Sequence, residues 1–352
     1  MKYKLFTAAF VLACLLPSAG MLFVPPTQAA ANERLSPAPV LRLESGAWNP
    51  AVFDETTAYV ADHFALRQQL VTINAALRTG LLASSPAEDV IYGRDGWLYY
   101  AKTLDDYQNR ATLSQDEARQ LAQTVRAMQD YCQARGARFV FTIAPNKNSL
   151  YPEKMPARYL RADSPGNYAL LRPFLQEFGV NYADLFTYLS GWDETLYYKT
   201  DSHWTNRGAA LAHDLLMDTL GLPHTVSGQA DYTVERAHRG DLYEMLYPKG
   251  AAYEEQQVYA HRFAHVREPR SAEDILIETM CVDAPNGRLL FCRDSFGNAL
   301  YPFLADSFSA ATVTRAMPYP LADVQPGDTV IVEIVERNLP NLLKYPPNLG
   351  NE

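Results

Sequence analysis

The chain has 352 residues, 48% hydrophobic, 12% aromatic and 20% charged, with a formal net charge of -9. Those values describe a globular protein long enough for one large domain or two small ones. The acidic balance, with no basic cluster to offset it, excludes a nucleic-acid surface, because phosphate binding needs a local excess of Lys and Arg.

The N-terminus reads as a targeting segment. Met1-Lys2-Tyr3-Lys4 is basic, Leu5 to Val24 carries no charge, and Pro25 to Ala31 supplies the small residues of a cleavage site. Residues 1–31 are therefore expected to be a signal peptide or an N-terminal membrane anchor. The protein is expected to be exported, to the cell surface or beyond it, or to the periplasm if the source has an outer membrane. Cys14 leaves with a cleaved signal. Cys132, Cys281 and Cys292 read as small buried apolar residues, with a Cys281–Cys292 pair as the alternative.

Residues 32–88 read as a linker followed by a helix over Phe53 to Leu82, from the spacing of Val60, Phe64, Leu70, Ile73, Leu77 and Leu81. Val90 to Tyr100 reads as two short strands around an Arg94-Asp95-Gly96 turn, opening a main domain over 89–352. Ser114 and Glu117 have the spacing of a capping box and start a helix that runs to Gly136. Arg138 to Ile143 is a strand, Tyr168 to Phe178 a helix, Val180 to Leu185 a strand, and Thr205 to Leu220 a helix stopped by Gly221. Residues 224–280 are irregular, acidic and aromatic, and read as an insertion with a hairpin near Gln257 to Tyr259. Strands return at Arg288 to Cys292, Ala310 to Thr314 and Thr329 to Val335, before a closing helix at Asn338 to Lys344. Helices alternating with near-continuous apolar strands imply an α/β fold with a mainly parallel sheet covered on both faces.

Two stretches carry chemistry. Asp201 and His203 lie two residues apart before a helix, and in an extended segment such residues point the same way. A carboxylate anchoring one ring nitrogen leaves the other free to act as a general base. Ser295 follows the strand ending at Cys292 and precedes a helix starting near Asn298, which puts its hydroxyl at the carboxyl edge of the sheet. Free N–H groups at that turn can hold an oxyanion. Asp294 to Gly297 alone reads equally well as a helix N-cap, and Asp201 to Thr205 as another. Together they make a Ser295–His203–Asp201 triad. The other histidines lack a carboxylate partner at such a turn, and His213 beside Asp214 reads as a helix-surface pair. His224, His238, His261 and His265 lie in the insertion and are the remaining candidates for a metal, but the chain has no H-E-x-x-H and no C-x-x-C. No metal and no cofactor are expected.

Tyr198 to Ala209, with Asp201-Ser202-His203-Trp204 at its centre, resembles the D-x-H-W signature of the alginate O-acetyltransferase family and of the exported DHHW proteins. Arg293 to Gly297 is similar to their serine segment, Val90 to Tyr100 to their opening segment, and Ile143 to Lys147 with Tyr151-Pro152 to their P-x-K…Y-P segment. These matches run in order over nearly all of the chain beyond residue 32. The resemblance implies a three-layer α/β/α SGNH-hydrolase-like fold. It also implies transfer of acetyl groups to hydroxyls of an exported polysaccharide, with the donor supplied by a membrane-bound O-acyltransferase. Two alternatives stay open: a carbohydrate acetylesterase with the same triad, and a catalytically silent glycan-binding protein of an export complex. Oxyanion or substrate contacts are expected from Phe296, Asn146, Lys147 and Trp204. Arg293 stands where the family carries the glycine of G-D-S, and its bulk is expected to narrow the approach to Ser295.

Overall fold

The structure is a computed structural model and describes residues 2–21, 23, 35–110, 112–161, 163–347 and 349. The expected cleavage region lies outside the described residues. The chain divides into two compact units, Met1–Tyr92 with Arg239–Ala252, and Gly93–His238 with Tyr253–Glu352.

The first unit is helical. Helix α1 spans Lys2–Gly20, α2 Val52–His63 and α3 Arg67–Leu82. Among the described residues no helix is long and apolar enough to cross a membrane. The single helix expected over Phe53 to Leu82 is two, because the chain turns at Leu66, whose φ of 63° is left-handed. The step from Phe64 to Leu70 is six residues rather than three or four, and it puts the two apolar sets out of phase at the break. Asp62 accepts hydrogen bonds from the Ser36 main-chain N–H at 2.8 Å and from its hydroxyl at 2.6 Å, and this ties the linker to α2. Strand β1, Val90–Tyr92, closes the unit's first segment.

The second unit holds a seven-stranded sheet. Its strands are β3 (Arg138–Ala144), β4 (Tyr182–Ala183), β7 (Ala264–His265), β8 (Leu276–Met280), β9 (Asn286–Cys292), β10 (Phe308–Thr314) and β11 (Thr329–Val335), in the order β4-β3-β11-β9-β10-β8-β7. β4, β3, β11, β9 and β10 run parallel, whereas β8 and β7 add antiparallel at one edge. The expected insertion is thus partly a sheet edge: β8 alternates exposed and buried residues, as a half-covered strand does. All seven residues of β11 are buried, the signature of a central parallel strand.

Residues of alternate parity divide the core. Val140, Ala144, Ile331 and Val335 pack with the helix Asn206–Leu220 and the helix Gly297–Ser307. Phe139, Phe141, Ile143, Val330, Val332 and Ile334 pack with the helix Gln115–Ala134 and the helix Asn167–Glu177 on the other face. This is the α/β/α sandwich. The capping box forms as expected, Ser114 Oγ accepting from the Glu117 N–H while the Glu117 carboxylate accepts from the Ser114 N–H at 2.8 Å. Gly221 stops its helix in the left-handed region at φ 62°. The strand expected from Val180 shrinks to two residues, because Asp184 caps a short helix Leu185–Ser190 that takes the rest. The closing helix is only Asn341–Lys344.

Outside the sheet, β2 spans Leu98–Tyr100, beyond the Arg94–Gly96 turn as expected. β5 (Tyr232–His238) and β6 (Glu254–Tyr259) pair antiparallel to form the hairpin expected near Gln257. Cys132, Cys281 and Cys292 are free and buried. His213 and Asp214 are not a surface pair: both are buried. Asp214 accepts from the N–H groups of Ser227 and Gly228, and the His213 ring bonds Ser307 Oγ at 2.9 Å. That network pins the loop after the helix to the sheet's flank, and burial pushes the His213 imidazole below its usual range.

Candidate active site

Asp201 and His203 meet, though not on a strand. The segment is a turn in which Asp201 Oδ1 accepts from the main-chain N–H of His203 at 2.8 Å and also bonds its ring Nδ1 at 2.8 Å. An Asp side chain that bonds the backbone two residues on is an ordinary turn device; here it also seizes the ring. Because a carboxylate can only accept, the proton sits on Nδ1, and Nε2 is left as acceptor. That nitrogen faces Ser295 Oγ at 2.9 Å, 92 residues away in sequence. Burial opposes the charge on Asp201, but hydrogen bonds from His203 and His238 outweigh it and hold the carboxyl well below the usual carboxylate range.

Ser295 is aimed by its neighbours. Asp294 Oδ1 accepts from the Phe296 N–H at 3.0 Å, and Oδ2 from the Val335 N–H at 2.7 Å and Asn338 Nδ2 at 3.3 Å. The turn is thereby stapled to the end of β11. Glu333, buried beside it, accepts from the Asp294 N–H at 3.1 Å. Burial first, and the Asp294 carboxylate second, push the Glu333 carboxyl well above its ordinary range. Trp204 Nε1 donates to the Phe296 carbonyl at 3.1 Å, and its ring meets Phe296 edge-on at 5.1 Å. The base turn and the serine turn are therefore locked together by adjacent residues.

Several expected contacts are corrected. Trp204 is 1% exposed and cannot stack a sugar. Lys147 is buried, and its ammonium donates to the carbonyls of Leu98 at 2.6 Å, Lys199 at 2.8 Å and Asp201 at 2.9 Å. Three donors spent on three carbonyls leave none for an oxyanion. Asn146 is wholly buried, donating its main-chain N–H to Glu336 at 2.9 Å and Nδ2 to Asp106 at 2.8 Å. Both residues frame the site from behind. The Phe296 N–H is committed to Asp294, whereas the Ser295 N–H has no acceptor among the described residues and stays available. Arg293 does not obstruct Ser295. It is 2% exposed and turns under the helix Gly297–Ser307, donating to the carbonyls of Ala272 at 2.8 Å, Asp294 at 3.1 Å and Asp274 at 3.4 Å and to Asn298 Oδ1.

A cavity of about 320 Å³ opens on Ser295, lined also by Tyr100, Lys102, Asp294, Arg315, Arg337 and Asn338. The Arg337 guanidinium lies 5.7 Å from the Phe296 ring and 5.5 Å from that of Tyr100. Sequence reasoning missed Arg337, Arg315 and Lys102, since each is an unremarkable basic residue until the sheet edge gathers them. It also gave no role at the triad to His238, which comes from the end of β5 to bond Asp201.

The family model for the SGNH hydrolase-like domain of acetyltransferase AlgX matches residues 90–310. The chain is 28% identical over 213 residues to the probable alginate O-acetylase AlgJ of Pseudomonas syringae pv. tomato, which is 57% of this chain and 51% of that protein. It is 26% identical over 164 residues to the protein of that name from Pseudomonas aeruginosa, covering 45% of this chain and 41% of the other. The chain thus spans about half the length, or less, of these curated relatives. Among solved structures it is similar to a DHHW family protein from Eubacterium siraeum, with TM-score 0.53, 14% identity, 73% of this chain and 95% of that one covered. It is similar also to Bacillus cereus PatB1 with a sulfonyl adduct, with TM-score 0.54, 17% identity, 71% and 95% covered. These two likenesses show the fold. The match over residues 90–310 shows more: this chain belongs to the SGNH hydrolase-like family of acetyltransferase AlgX.

Proposed function

We propose that the protein is an exported, serine-dependent O-acetyltransferase that moves acetyl groups onto hydroxyls of a polysaccharide. The observation that carries this reading is the unbroken hydrogen-bond chain from Asp201 through His203 to Ser295. Ser295 Oγ attacks the acetyl carbonyl carbon while His203 Nε2 takes its proton. The imidazolium that forms is stabilised by Asp201 and returns the proton to the leaving group as the donor's acyl bond breaks, leaving an acetyl ester on Ser295. A sugar hydroxyl then attacks that ester, His203 takes its proton, and Ser295 Oγ leaves and is reprotonated. The oxyanion in both steps falls to the Ser295 N–H.

Lys102, Arg315 and Arg337 around the serine cavity favour an acidic glycan, as the name of the alginate O-acetylase relatives suggests. A membrane-bound O-acyltransferase is the proposed source of the acetyl group. The basic start and uncharged run of the N-terminus support export, with cleavage or retention as a membrane tether as the two forms it can take.

The test is acylation of the purified protein by p-nitrophenyl acetate, followed by intact mass and peptide mapping. An acetyl adduct on Ser295, absent from Ser295→Ala and His203→Ala, is expected, with faster turnover on adding oligouronates than neutral oligosaccharides. Turnover in Ser295→Ala equal to that of the parent would remove the assignment. Turnover that ignores every added sugar would point to an esterase.

A further inference from the structure

We propose that the β5–β6 pair is a positioning clamp for the general base, with His238 and Glu254 as its two jaws, a role that rests on reading His203 as that base. The two residues face each other in register, next to an irregularity of the ladder between Glu235 and His238. The pair stands apart from the seven-stranded sheet, and six of the seven residues of β5 are exposed. A strand with so little to bury contributes almost nothing to a core. Its one half-buried residue, His238, reaches the triad.

Each jaw grips a different part of the Tyr198–His203 turn. His238 Nε2 lies 3.1 Å from Asp201 Oδ2, and since the carboxylate only accepts, that nitrogen carries the proton. The His238 ring stacks on Tyr198 at 3.6 Å with 11° between planes, which sets the direction of its N–H. Glu254 grips the backbone: its carboxylate accepts from the N–H groups of Lys199 and Thr200, both at 2.7 Å, and from Thr200 Oγ1. Glu254 thus places the turn, and His238 stops rotation of the Asp201 carboxylate about Cβ–Cγ.

That rotation matters because Oδ1 holds both the N–H and the ring of His203. A carboxylate free to turn still binds the imidazole, but aims Nε2 at Ser295 for a smaller fraction of the time. The loss falls on the chemical step and leaves the substrate cavity untouched, because neither jaw lines it. His238 and Glu254 are positioning residues, touching neither substrate nor nucleophile.

The experiment compares the full-length parent with His238→Ala, His238→Gln, Glu254→Gln and Ser295→Ala, measuring kcat and KM for p-nitrophenyl acetate and the thermal midpoint of each. His238→Ala is expected to lower kcat about ten- to a hundredfold with KM unchanged within about twofold. His238→Gln, which can present an N–H to the same oxygen, is expected to recover most of that loss. Glu254→Gln, which keeps one acceptor, is expected to lose about five- to twentyfold in kcat. The clamp is overturned if His238→Ala turns over like the parent. It is equally overturned if His238→Gln is as slow as His238→Ala, or if kcat tracks the thermal midpoint across the series. Ser295→Ala separates the two ideas: turnover there equal to the parent's removes the base the clamp would serve, whatever the His238 variants do.

Discussion

Gly297→Ala should be unusually costly for so small a change, and the reason is Arg293. A Cβ placed on Gly297 comes within 2.6 Å of Arg293 Cβ and 3.0 Å of its Cγ, and overlaps Cδ. Ordinary contacts between such atoms lie at about 3.5–4.0 Å. Arg293 Cβ is fixed by the main chain that ends β9, so it cannot withdraw. The distal atoms can move only by giving up donations to Ala272, Asp274 and Asn298. Overpacking of this kind costs about 1–3 kcal/mol, and losing even one charged hydrogen bond costs a further 1.5–3 kcal/mol or so. Alanine's better helix propensity returns at most about 1 kcal/mol. The clash wins, with a net destabilisation of about 1.5–5 kcal/mol. Because Gly297 is two residues from Ser295, kcat should fall as well. The assay is a double-mutant cycle in urea, read alongside turnover, on the parent, Gly297→Ala, Arg293→Ala and the double variant. Coupling of at least about 1.5 kcal/mol in favour of the double variant is expected. Simple additivity, or a Gly297→Ala protein as stable as the parent, would refute the reasoning.

Other expectations follow from the buried frame. Burial raises the Asp106 carboxyl to about 6, and burial followed by the Asp106 charge raises Glu336 to about 7. Folded-state values above the unfolded ones mean that the folded protein holds these protons longer. Their stabilisation is therefore complete below about pH 4 and is lost as pH rises through about 6 and 7. The urea midpoint should fall between pH 5 and pH 8, by about 4 kcal/mol in stability, and Glu336→Gln should flatten the fall; an unchanged slope in that variant would count against the assignment. Lys147→Met strands the carbonyls of Leu98, Lys199 and Asp201 and should cost at least about 3 kcal/mol. Lys147→Arg should not restore it, because a planar fork cannot meet three converging carbonyls. Equal thermal midpoints for Lys147→Arg and the parent would show that charge alone suffices.

What the sequence discloses about this site depends on how local each cause is. Asp201 and His203 are legible because their pairing is made within three residues. Ser295 is legible because a hydroxyl between a buried strand and a helix start must reach the carboxyl edge of a parallel sheet. The capping box at Ser114 is equally local. His238 is hidden because its partner is 37 residues away and its strand has no apolar pattern to fix its register. Lys147 is visible as part of a motif, but which way a lysine points depends on whether three carbonyls happen to converge on it. Arg293 looked like an obstruction because side-chain bulk can be counted in a sequence and side-chain direction cannot. The β7–β8 edge was hidden for a related reason: strands of two and five residues carry too little alternation to stand out from loop.

The place of β11 has a consequence for the order in which the molecule comes together. The last strand among the described residues is a middle one in space, inserted between β3 and β9 and parallel to both. Taking β11 away would leave β3–β4 and β9–β10–β8–β7 with bare edges facing each other, and would remove the Val335 N–H that holds Asp294 and the serine turn. Closing such distant contacts is slow in folding. A molecule cut short of β11 is therefore expected to keep Asp201, His203 and Ser295 in its sequence while losing the hydrogen bond that fixes the serine turn. The geometry of the serine turn is complete only when the sheet is.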